Sequence, residues 1–162
     1  MFKDIVLAAT SSQVTEAAAD AAFAFTRKHD ARLIVTHVCG LPSHGWGGIE
    51  HMIPSGEVER IKKHIQEYYQ DRTADLPNCC FEVIPGVPHS ELLRLSRKVN
   101  ADLIVMGAHT KEFAEKRAKM WGMAGSTLER VSQKARCPVM VVSRPVSEER
   151  MDFKSIVAAT DF

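Results

Sequence analysis

The stretch MGAHTKEFAEKRAKMWGMAGSTLERV, Met106 to Val131, holds the residue types best suited to gripping a phosphate. An apolar segment, Asp102 to Val105, reads as a buried strand and runs into Gly107. A glycine there allows positive φ and lets backbone N–H groups come close to phosphate oxygens. Gly125-Ser126-Thr127 then opens a new helix, whose free amides and positive end attract an anion. The hydroxyls of Ser126 and Thr127 serve equally well as helix caps, and Gly107 as a tight turn. Lys111, Lys116, Arg117 and Lys119 either neutralise phosphates or form an ordinary solvated face. His109 either contacts a phosphate or stands in solvent.

Other reactive side chains gather less convincingly. His37, Cys39, His44 and His51 cluster in sequence, but their spacing fits no zinc pattern, so no metal site is expected. Trp46, among Gly45, Gly47 and Gly48, marks a loop that covers a ligand or packs on the core. There is no Gly-x-Ser-x-Gly elbow and no Walker loop. The first strand is not followed by a Gly-x-Gly-x-x-Gly turn, as a dehydrogenase would need. It ends in Thr10-Ser11-Ser12, without the aspartate cluster of a response regulator. A dedicated enzyme is therefore not expected. Any hydrolysis of a bound phosphate compound would be slow and incidental, with no base or metal-binding carboxylate beside the loop.

The elements that position these residues follow from the rest of the chain. Its 162 residues, 45% apolar, suit one globular domain. With 21 basic and 20 acidic side chains the net charge is +1, which draws the chain to neither nucleic acid nor an anionic membrane. No apolar run approaches the roughly 20 residues of a membrane span, and the N-terminus lacks the pattern of a signal peptide, so the cytoplasm is expected. In that compartment Cys39, Cys79, Cys80 and Cys137 should be reduced.

Two periodicities alternate. Strand-type runs lie at Ile5–Ala9, Leu33–Val38, Phe81–Ile84, Leu103–Met106 and Val139–Val142. Helical stripes lie between them: Val14 to Phe25, Val58 to Arg72, Leu92 to Val99 and Leu128 to Ala135. Five strands alternating with four helices predict an α/β fold, an open parallel sheet with helices on both faces. Ligands of such sheets bind beyond the carboxy ends of the strands, where strand order reverses. Here those ends are Ala8-Ala9-Thr10, Val38-Cys39 and Gly107-Ala108.

A partial internal repeat is also present. FKDIVLAAT begins at Phe2 and FKSIVAATD at Phe153, an offset of 151 residues, about one domain of this type. The second copy stops after one strand. The simplest expectation is a domain over residues 1–145, then a linker and the first strand of a truncated second repeat over 146–162. Chance similarity is the alternative. Ile156 and Val157 of that strand would gain by burial, on this domain or on a neighbour.

In order, IVLAAT, RLIVTHV, EVIPGVPHSELLRLSRKVNADLIVMGAH and GSTLERVSQKARCPVMVVSRP resemble the universal stress protein family. The resemblance covers nearly all of residues 1–145. It implies a Rossmann-like sheet in the order 3-2-1-4-5, dimerisation, usually through the last strand, and, as in many members, an ATP site. Carried onto this chain, the adenine lies near Ala9 and Val38 and the ribose near Thr10. Met106, Gly107, His109, Thr110 and Gly125-Ser126-Thr127 complete the set on the phosphate side; magnesium beside the nucleotide is left open.

This chain departs from the family motif. Thr110 stands where a second glycine is expected, and 14 residues separate it from Gly125, a longer gap than the pattern has. Thr10 occupies the place of a first-strand aspartate, whereas the repeat copy has Asp161 there. The rival expectation is an interaction module without nucleotide, acting through dimer or partner surfaces.

Overall fold

The computed structural model describes residues 2–10, 15–39, 56–108, 126–147 and 157. Five parallel strands form one sheet in the order β3-β2-β1-β4-β5: β1 Asp4–Ala8, β2 Arg32–Cys39, β3 Cys79–Pro85, β4 Leu103–Gly107 and β5 Val139–Val142. Between them come α1 Glu16–His29, α2 Glu57–Thr73, α3 Pro88–Lys98 and α4 Ser126–Lys134. The expected strand order and class are both present. No helix among the described residues is long and apolar enough to cross a membrane.

β1 lies in the middle and is covered on both faces, so Ile5, Val6 and Leu7 are fully buried. That double burial is why these strands read as continuous apolar runs. On one face Ile5, Leu7, Leu33, Val35, Leu103 and Val105 meet α1 and α2 through Ala18, Ala22, Phe23, Phe25, Ile65 and Tyr69. On the other, Val6, Ile34, Ile104 and Met106 meet α3 and α4 through Leu92, Leu93, Leu95, Leu128 and Val131. The chain crosses in one direction from β1 to β3, then returns past β1 to β4 and β5. With crossovers of one hand, that reversal sends the later helices to the opposite face.

Local chemistry sets the helix ends. α1 runs on past Phe25 to His29 and stops where Asp30 turns left-handed (φ 50). The Asp30 amide donates to Arg27 O and the Ala31 amide to Thr26 O at 3.1 Å, the paired closure of a Schellman motif. α3 ends the same way at Asn100 (φ 50), with Ala101 donating to Ser96 O at 2.8 Å. It starts earlier than its apolar stripe because Pro88, lacking an amide donor, suits the first turn. β3 likewise begins at Cys79, since cysteine fills a partly buried strand position as a small apolar group.

α1 and α2 are clamped by Arg72. Its guanidinium pairs with Glu16 and Asp20 and lies over the rings of Phe23 (5.0 Å) and Tyr69 (5.3 Å). Arg27 adds a fork onto Asp75 at 2.6 and 2.9 Å and reaches the Arg72 carbonyl at 2.9 Å. At the other end of the sequence Val157 is 93% exposed, so at that residue the segment after β5 is not buried on its own domain. The remainder of the repeat copy lies outside the described residues.

Candidate functional site

The register places the expected ligand crevice. Ala8 of β1 pairs with Thr36 of β2 on one side and Met106 of β4 on the other. Ala9-Thr10 and Gly107-Ala108 therefore leave the sheet side by side, at the point where strand order reverses. α4 opens at Ser126 on the face that carries Met106 and Val131.

The protein's own hydrogen bonds hold this rim. The Ala9 amide donates to Thr36 O at 2.8 Å. The Ala9 carbonyl accepts from His37 Nδ1 at 3.0 Å; a carbonyl only accepts, so the proton sits on Nδ1. Thr10 is tied to the first residue before α1, where the Thr15 hydroxyl donates to Thr10 O at 3.0 Å and the two hydroxyls lie 3.3 Å apart. The Ala108 amide donates to Val142 O at 3.0 Å, fastening the end of β4 to β5. Gly86 N donates to Cys39 O at 3.1 Å and joins the ends of β2 and β3.

The residues expected at the site divide accordingly. Val38, Met106 and Gly107 lie at or just before the carboxy ends of their strands, and Ala9 and Thr10 follow the end of β1. Ala9 is buried, and both its backbone groups have protein partners. The Met106 side chain is in the core at 6% exposure, so it lies beneath the crevice rather than lining it. Val38 is partly buried beside Ile84. Thr127 is half-buried in the first turn of α4, which Ser126 opens. His109, Thr110, Gly125, the four basic loop residues, His44, Trp46 and His51 lie outside the described residues.

Two contacts at this pole escaped the sequence reading. His37 braces the Ala9 carbonyl, and Arg130 of α4 contacts His89 of α3 at 3.3 Å. Nothing in the sequence marks a pair separated by 41 residues. On the opposite face of β2, His37, Glu57, Arg60, Ile61, His64 and Ile65 line an open groove of about 510 Å³. No described group of three His, Cys, Asp or Glu side chains is placed to hold a metal. Around the described strand ends, Thr10, Cys39, Gly107 and Ala108 supply no carboxylate, so they do not fit a magnesium ion.

Comparison with known proteins agrees with this architecture. The model of the universal stress protein family matches residues 1–143. Universal stress protein MJ0531 of Methanocaldococcus jannaschii is 31% identical over 155 residues, covering 91% of this chain and 86% of its own length. Among solved structures, universal stress protein UspA from Lactobacillus plantarum superposes with a TM-score of 0.68 at 22% identity, over 86% of this chain and 97% of its own. A universal stress protein in complex with cAMP superposes with a TM-score of 0.61 at 19% identity, over 88% and 97%.

Proposed function

The chain belongs to the universal stress protein family, and on that footing we propose that it is a stress-response binding module for an adenine nucleotide. The observation that carries the reading is the pairing of Ala8 with Met106. It brings Thr10 and Gly107 out of the sheet together at the reversal point, beside the helix that Ser126 opens. A solved family fold binds cAMP, so the fold accommodates an adenine nucleotide.

In this reading the base lies toward Val38, the ribose near Thr10, and the phosphates on Gly107 and the amides at the start of α4. Thr10 offers the ribose a hydroxyl in place of a carboxylate. The module senses or stores its ligand rather than turning it over. ATP is the nucleotide of first choice, and magnesium has no described carboxylate to hold it at the strand ends. Self-association through the open edge of β5 belongs to the same reading.

Calorimetric titration with ATP tests it. The unaltered protein should bind, and Gly125→Val should not, because a branched side chain before Ser126 would crowd phosphate away from the helix amides. Absence of binding by the unaltered protein would sink the nucleotide reading.

A further inference from the structure

Arg130 and His89 form the one described side-chain hydrogen bond between α3 and α4, the two helices that begin at the carboxy pole of the sheet. The guanidinium only donates, so Nε2 of His89 accepts, which makes the ring neutral with its proton on Nδ1. His89 sits in the first turn of α3, directly after Pro88. Arg130 lies three and four residues beyond Thr127 and Ser126, and so shares their side of α4. Helical side chains lean toward the amino end of their helix, and the contact with the first turn of α3 agrees with that lean. The guanidinium is thus drawn to the level at which α4 begins.

Arg130 is exposed, and positive charge gathers around it. The amino ends of α3 and α4 each carry a partial positive charge. A guanidinium brought to the same level adds a like charge, and a neutral imidazole does nothing to offset it. Among the described residues Arg130 has no carboxylate partner. A guanidinium makes its strongest, forked hydrogen bonds with carboxylate or phosphate oxygens. Here an anion entering between the two helix ends would supply the missing charge.

Resting on the adenine-nucleotide reading above, we propose that Arg130 contacts the phosphate chain and sets how many phosphates the site prefers, with His89 as its positioning residue. Helix amides alone suffice for one phosphate; a second or third extends past them and gains from a forked cation. The site should therefore rank ATP above ADP above AMP. Adenosine, which has no phosphate, is the reference.

The experiment is calorimetric titration of adenosine, AMP, ADP and ATP at constant ionic strength into the full chain and its Arg130→Gln, Arg130→Lys and His89→Ala variants. In Arg130→Gln the preference for ATP over AMP should fall by about tenfold. Arg130→Lys should keep part of it. His89→Ala should weaken the preference in the unaltered background and change nothing in the Arg130→Gln background, as a positioning role requires. If Arg130→Gln lowers affinity for all four ligands alike, or leaves the ratio untouched, Arg130 does not read the phosphates, while the nucleotide reading survives. If the unaltered chain binds none of the four, both ideas fall.

Discussion

Asp4 and Asp102, at the starts of β1 and β4, hold each other twice. The Asp4 amide donates to Oδ2 of Asp102 at 3.0 Å, and the Asp102 amide donates to the Asp4 carbonyl at 2.8 Å. The Lys3 amide joins the same carboxylate oxygen at 2.7 Å. These two backbone donors hold the Asp102 carboxyl below its usual range. A depressed carboxyl contributes stability above its unfolded value and loses it as pH falls through the folded one.

Asp102→Asn should therefore lower the melting temperature at neutral pH. It should also flatten the loss of stability that the unaltered protein shows below about pH 4. Thermal unfolding followed across that range checks both. Parallel pH profiles for the two proteins would show that the carboxylate is not the group responsible.

Arg72→Ala should destabilise the domain by about 2 kcal/mol. The change removes the pairs with Glu16 and Asp20 and the cover over the Phe23 and Tyr69 rings. Burial also pushes the Tyr69 phenol well above its ordinary value, so Tyr69 stays neutral and cannot take over the ionic role. Arg72→Lys should recover only part of the loss, because an ammonium lacks the fork. Urea unfolding measures both, and a loss below about 0.5 kcal/mol for the alanine variant would mean the clamp contributes little.

Gly86→Ala should cost about 1–3 kcal/mol. Gly86 has φ 153, and a Cβ there would meet Glu91 Cγ at 2.7 Å. In Glu91→Ala the same substitution should cost less, with the backbone strain remaining. Asn100→Gly is the contrast: its left-handed φ of 50 suits glycine at least as well, so stability should hold or rise slightly. Equal penalties at the two sites would show that backbone conformation does not govern them.

Val141, 43% exposed on the edge strand β5, should lie in a contact between two copies of the chain. Val141→Lys should convert a dimer to a monomer in light scattering, with the melting curve of the isolated chain little changed. A monomer before any substitution would remove β5 as the contact.

The strands and helices were legible because burial on both faces writes itself as apolar runs and the helices as stripes. Their ends were less so. α1 outlasts Phe25 because its last turn is polar and its stop is the left-handed Asp30, which sequence periodicity does not register. The crevice at Thr10 and Gly107 followed from topology, since any such reversal makes one. What holds it did not follow. His37 is tied to a carbonyl 28 residues earlier, and at the opposite end of the sheet the Asp102 carboxylate accepts from amides 98 and 99 residues earlier. Backbone acceptors and donors have no residue type, so no motif announces these bonds. Met106 illustrates the reverse case, a residue whose place in the motif suggested a ligand contact and whose side chain the sheet's alternation sends into the core.

The central place of β1 also has a consequence for synthesis. Of the five strands it is the first to leave the ribosome, yet one of its two neighbours, β4, begins only at Leu103. At about 5–20 residues per second, roughly 5–20 s pass before that neighbour exists. Until then Ile5, Val6 and Leu7 have one open edge and an uncovered face, so the strand at the centre of the sheet waits longest for its partner. A nascent chain held short of Leu103 would offer that strand to any passing chaperone, and would be the species most prone to aggregate.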